Sequence, residues 1–77
     1  MTERTEIQLE ELDTLTPLES RIDILLTNGK TITGVFLGYE QYPAEAYLIF
    51  ATENKDGFGY EGDTESFEYI QAVYLCQ

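Results

Sequence analysis

The sequence predicts a mainly β protein, a small five-stranded barrel preceded by a short N-terminal helix. Three observations carry that expectation. Apolar residues alternate with polar ones from Arg21 onward, an Asn-Gly pair interrupts the alternation at Asn28-Gly29, and two further apolar runs follow before the C-terminus. A chain of 77 residues buries only roughly 60% of the surface its unfolded form exposes, so one domain spanning residues 1–77 with a single core is expected. Its 43% hydrophobic and 13% aromatic content suffices to fill that core and argues against disorder.

The first 19 residues hold six acids (Glu3, Glu6, Glu10, Glu11, Asp13 and Glu19) and one Arg, with Leu9, Leu12 and Leu15 at three-residue spacing. This pattern predicts an acidic helix over residues 5–16. Thr5 and Gln8 have the spacing of a capping box, the early acids suit the positive end of a helix dipole, and Pro17 marks the stop. The barrel is expected over residues 20–76.

Ile22, Ile24 and Leu26 face one way, with Arg21, Asp23 and Thr27 on the other, which reads as the first strand. Asn28-Gly29 is a strong hairpin signal. Residues 30–41 then read as one long strand, bent at Gly34 and Gly38 and ended by Pro43. A third strand is predicted over 45–52, with Tyr47, Leu48, Ile49 and Phe50. A polar, Gly-rich loop over 53–63 follows, and then two short closing strands over 65–69 and 72–76. Helix, bent hairpin, third strand and two closing strands describe a barrel of the SH3-like kind.

The stretch Leu25-Leu26-Thr27-Asn28-Gly29-Lys30-Thr31-Ile32-Thr33-Gly34-Val35-Phe36-Leu37-Gly38-Tyr39-Glu40-Gln41-Tyr42 resembles the first Sm motif of the Sm and Lsm proteins. The N-terminal helix and the segment from Phe67 to Leu75 occupy the places of that family's capping helix and second motif. The resemblance implies an Sm-like barrel. It does not carry over the family's RNA site. The segment that clamps the base reads Glu40-Gln41-Tyr42-Pro43-Ala44 here, with Ala44 in place of the Asn, and Gln71 stands where the family has its Arg. In size, acidity and layout, and in the Leu18-Glu19 step before the first strand, the chain also resembles the Rho-inhibitor proteins of the Rof type. That resemblance implies an acidic surface that competes with nucleic acid for a basic groove on a partner.

Charge points the same way without any resemblance. Fifteen Asp and Glu stand against four Lys and Arg, with no His, for a formal charge of −11. Such a field repels phosphate backbones and anionic membranes, so neither nucleic acid nor a membrane surface is an expected partner. The single cysteine, Cys76, closes no internal disulfide and fits a reducing interior. No apolar leader or span is read in the sequence, and a cytoplasmic protein is expected.

Gly57-Phe58-Gly59-Tyr60-Glu61-Gly62 satisfies GxGxxG, but the fingerprint needs a following helix, and Asp56, Glu61, Asp63 and Glu65 repel phosphate. Asn54, Asp56, Gly59 and Glu65 fall at calcium-loop spacing, with Phe58 where an oxygen ligand belongs. No cofactor and no metal are therefore expected. Without a His base or an activated nucleophile, no catalysis is expected either.

Acids and tyrosines remain. A basic nucleic-acid-binding protein is the expected partner, steered and paired by Glu6, Glu10, Glu11 and Asp13 of the helix and by Glu40, Glu61, Asp63 and Glu65 around the barrel, with Tyr42 and Tyr60 as anchors. The alternative is a self-assembling Sm-like ring or scaffold, pairing its two closing strands between subunits and retaining residual RNA or nucleotide binding.

Overall fold

Alternating side chains put one apolar face on each strand, and those faces must find one another. The computed structural model describes residues 4–12, 16–54 and 56–76. It contains six strands: β1 (Arg4–Ile7), β2 (Arg21–Leu26), β3 (Thr31–Gln41), β4 (Ala46–Glu53), β5 (Tyr60–Ser66) and β6 (Ile70–Cys76). They form a single sheet in the order β1-β6-β2-β3-β4-β5, with every neighbouring pair antiparallel. The mainly β expectation holds. The barrel becomes an open sheet of six strands, with β1 and β5 at its two ends.

Ile7, Ile22, Ile24, Phe36, Leu48, Phe50, Ile70 and Val73 come from five of those strands and meet in one buried cluster with Leu12 and Leu26. The sheet therefore curls around its own apolar face. Each such burial stabilises by about 1.5–3 kcal/mol.

Curling requires breaks in regularity. The β3–β4 register slips between Phe36 and Gly38, where Gly38 has φ 136°, a conformation that side-chain-bearing residues rarely adopt. At Gly34 the need is different: a Cβ there would lie 2.6 Å from the Ala51 carbonyl oxygen. Only hydrogen fits. At the β2–β3 connection the hairpin forms as expected, with a three-residue loop. The Leu26 amide donates to the Lys30 carbonyl (2.8 Å), the Gly29 amide to the Leu26 carbonyl (2.9 Å), and the Lys30 amide to Asn28 Oδ1 (2.9 Å).

The predicted N-terminal helix is corrected. Residues 4–7 form β1, paired with β6 so that Arg4 faces Cys76 and Ile7 faces Val73, and Leu9–Glu11 make a single 3-10 turn. Residues 13–15 lie outside the described residues. Two physical terms favour the strand. Glu6 and Glu10 would repel one turn apart on a helix, and β6 offers an edge that satisfies the β1 backbone. Across β6, Arg4 reaches Asp23 on β2 (Nη1 to Oδ2, 2.9 Å) and lies 4.7 Å over the Tyr74 ring.

The second correction concerns residues 53–69. The loop is shorter than predicted, β5 begins at Tyr60, and Phe67–Tyr69 form a 3-10 turn rather than part of a strand. The Ser66 side chain caps that turn by accepting the Glu68 amide (3.3 Å). No helix among the described residues is long and apolar enough to cross a membrane.

Candidate protein-interaction surface

The β3–β4 hairpin ends at residues 42–45, where the Tyr42 amide donates to the Glu45 carbonyl (2.7 Å). Because register pairs Glu40 with Tyr47, acid and phenol alternate around this tip. Tyr42 donates its hydroxyl to Glu40 and Tyr47 donates to Glu45, while the two rings meet edge to face at 6.2 Å. The Glu40 carboxylate, holding the phenolic proton in that bond, pushes the Tyr42 hydroxyl above its usual pKa.

Folding brings this tip beside the 3-10 turn that joins β5 to β6. Two adjoining depressions result. One, of about 260 Å3, is lined by Leu9, Glu10, Tyr39, Gln41, Ala46 and Phe67; the other, of about 420 Å3, by Ala44, Glu45, Ala46, Ser66, Phe67 and Glu68. They share Ala46 and Phe67, so they read as one groove with an aromatic floor and Glu10, Glu45 and Glu68 at its rim. Tyr39 and Phe67 stack at a tilt, with centroids 6.3 Å apart. A third depression, of about 360 Å3 beside Thr16, Pro17 and Leu18, is lined by no charged side chain.

Such a groove suits a cation on a long apolar stem. A guanidinium lies flat on an aromatic ring while carboxylates at the rim accept its hydrogens, and a lysine stem packs on the same floor. Ser66 is committed to capping the turn.

The residues predicted from sequence are distributed over three places. Glu10 lines the groove, and Glu40 and Tyr42 sit at the neighbouring hairpin tip. Glu61, Asp63 and Glu65 share β5 with Tyr60, whose exposure is 58%. Glu6 stands on the other face of the sheet, paired with Tyr74 and accepting from Gln8 (3.4 Å). Glu11 is exposed on the N-terminal turn. Asp13 lies outside the described residues.

Sequence reasoning missed Glu45, Glu68, Tyr39 and Phe67, which complete the groove. The one available signal was the set of acids flanking aromatics in Glu45-Ala46-Tyr47 and Phe67-Glu68-Tyr69.

The Gly-rich segment divides between a turn and the start of β5. Its Tyr60-Glu61-Gly62 half runs into β5. Asp56 accepts the Phe58 amide (2.9 Å), and Asn54 donates to the Phe58 carbonyl (3.2 Å). Glu65 sits on β5, opposite Leu48.

Compared with protein-family models, curated proteins and solved structures, the chain matches none of them.

Proposed function

We propose that this protein is a cytoplasmic acidic interaction module that binds a basic, nucleic-acid-handling protein and inhibits or modulates it by covering the surface where nucleic acid would lie. The observation that carries this reading is the groove with Phe67 at its floor and Glu10, Glu45 and Glu68 at its rim. Its position adds support. In the Sm-like resemblance the RNA clamp falls between the β3–β4 tip and the segment before the last strand; here that place has Ala44 and Glu45 on one side and Glu68 on the other, with Gln71 beyond. Carboxylates there repel phosphate and attract Lys and Arg.

The Rof-type resemblance makes Rho the first partner to test. In the expected result, titration of the labelled protein with purified Rho shows saturable binding that weakens with salt and displaces RNA from Rho. The triple reversal Glu10→Lys, Glu45→Lys, Glu68→Lys abolishes it. Binding indifferent to that reversal, or direct binding of RNA by the chain itself at low salt, overturns the reading. The ring alternative draws no support from the topology, since β6 has β1 on one side and β2 on the other, leaving β5 as the open end of the closing pair.

A further inference from the structure

The last strand of an open sheet presents backbone groups that no neighbour pairs, and the phase of the β4–β5 ladder shows which groups these are. The Asn54 amide donates to the Gly59 carbonyl (3.0 Å). Hydrogen-bonded and non-bonded pairs alternate along an antiparallel ladder, and register pairs Ala51 with Gly62 and Ile49 with Thr64. Gly62 and Thr64 therefore turn their amides and carbonyls away from β4. Among the described residues no strand pairs with this side, and residues 60–64 are exposed. The Thr64 amide is engaged by the carboxylate of Asp63 (2.8 Å), which leaves the Gly62 amide as the open donor of this pair.

Side chains add a second pattern. Glu61, Asp63 and Glu65 stand opposite Thr52, Phe50 and Leu48, so all three project on the core side of the sheet, roughly 6.8 Å apart in succession. A strand laid along β5 would place every second side chain directly against one of them.

We propose that the β5 edge docks an extended segment of a basic partner, one with Lys or Arg at alternate positions, by adding a seventh strand to the sheet. Charge complementarity selects this occupant. A second copy pairing antiparallel through its own β5 would set Glu61 against Glu65 and Asp63 against Asp63, which like-charge repulsion opposes. Backbone bonds supply the hold and the alternate cations the choice of register. The proposal rests on the reading of a basic partner and adds a second contact, at the sheet edge, to the one made by the groove.

Two peptides of identical composition test it, one with three lysines alternating with Thr and Val, the other with the lysines contiguous. The alternating peptide is expected to bind at least about tenfold more tightly, one 1.4 kcal/mol step, and to protect residues 60–66 from amide hydrogen exchange. Gly62→Pro, which keeps every acid and removes one edge donor, abolishes that protection, as does the variant Glu61→Gln, Asp63→Asn, Glu65→Gln. Circular dichroism confirms that each variant folds; the second stands if proline disrupts the strand. The groove reversal at Glu10, Glu45 and Glu68 leaves protection of β5 in place.

Equal affinity for the two peptides, protection confined to the groove, or concentration-dependent self-association through β5 overturns the proposal. Groove protection alone leaves the wider reading standing. Edge binding without any Rho association does the reverse.

Discussion

Asp23 ties three strands together from a nearly buried position, its side chain 14% exposed. Its carboxylate accepts Arg4 from β1 and the Thr33 hydroxyl from β3 (2.8 Å). Burial pushes its pKa up, but the hydrogen bonds from Arg4, Thr33 and Cys76 outweigh burial and hold it below the usual carboxylate value. A lowered folded value means stability that is fully present above the unfolded pKa, about 3.9, and lost as pH falls through the folded one. Asp23→Asn should therefore cost about 1 kcal/mol at neutral pH and flatten the acid limb of the stability curve, as read by urea melts from about pH 7 to about pH 2.5. An unchanged acid limb would show that other carboxylates set it. The same cluster restrains Cys76, whose thiol is pushed above its ordinary pKa by burial and by the charge of Asp23. Since the thiolate is the nucleophile, alkylation by iodoacetamide at about pH 8 should run severalfold slower than that of a free cysteine peptide, and Asp23→Asn should speed it. Equal rates in the two proteins would remove Asp23 as the cause.

At the scale of the element, closeness of backbone decides more than composition does. Gly34 lies where β3 and β4 approach, and Gly34→Ala drives a methyl against the Ala51 carbonyl at 2.6 Å. A backbone oxygen yields little, so a loss of about 1–3 kcal/mol is expected, measured by denaturant melts; a loss under about 0.5 kcal/mol, typical of surface changes, would mean that the two strands part without cost. The irregularity at Gly38 was legible in the sequence, whereas the bend expected at Gly34 is instead a close approach to Ala51. The β2–β3 hairpin was legible too, because Ile22, Ile24 and Leu26 are buried on one face only and such alternation specifies a strand. β5 was hidden for the opposite reason. Tyr60, Gly62 and Thr64 alternate with Glu61, Asp63 and Glu65, so neither face is apolar, and an edge strand of that kind looks like a loop. β1 was hidden because its pairing with β6 joins residues some seventy positions apart, while Leu9, Leu12 and Leu15 carry a local helical spacing. The site divides similarly: Glu10 in the groove and Glu40 at the tip beside it stood out as acids, whereas Glu45 and Glu68 become neighbours only when the hairpin tip meets the turn after β5.

At the scale of the whole molecule, a net charge of −11 acts on folding and on binding with opposite signs. The folded chain holds its acids closer together than the unfolded chain does, so their repulsion opposes compaction. Salt shortens the screening length from about 30 Å at about 10 mM ionic strength to about 8 Å at physiological strength. Relief of about 1 kcal/mol corresponds to a rise of roughly 4–8 °C in Tm for a domain of this size. Thermal melts should therefore shift upward as sodium chloride is raised, even though the Arg4–Asp23 pair, open to solvent on its Arg4 side, is weakened by the same screening. Attraction to a basic partner must move the other way, since it draws on the same charges across an interface. A protein that becomes more stable and binds more weakly over one salt series has its acids arranged toward a partner at the expense of its own fold. A Tm that falls with salt would mean instead that attractive pairs such as Arg4–Asp23 outweigh the repulsion, and the acids would then need an internal role.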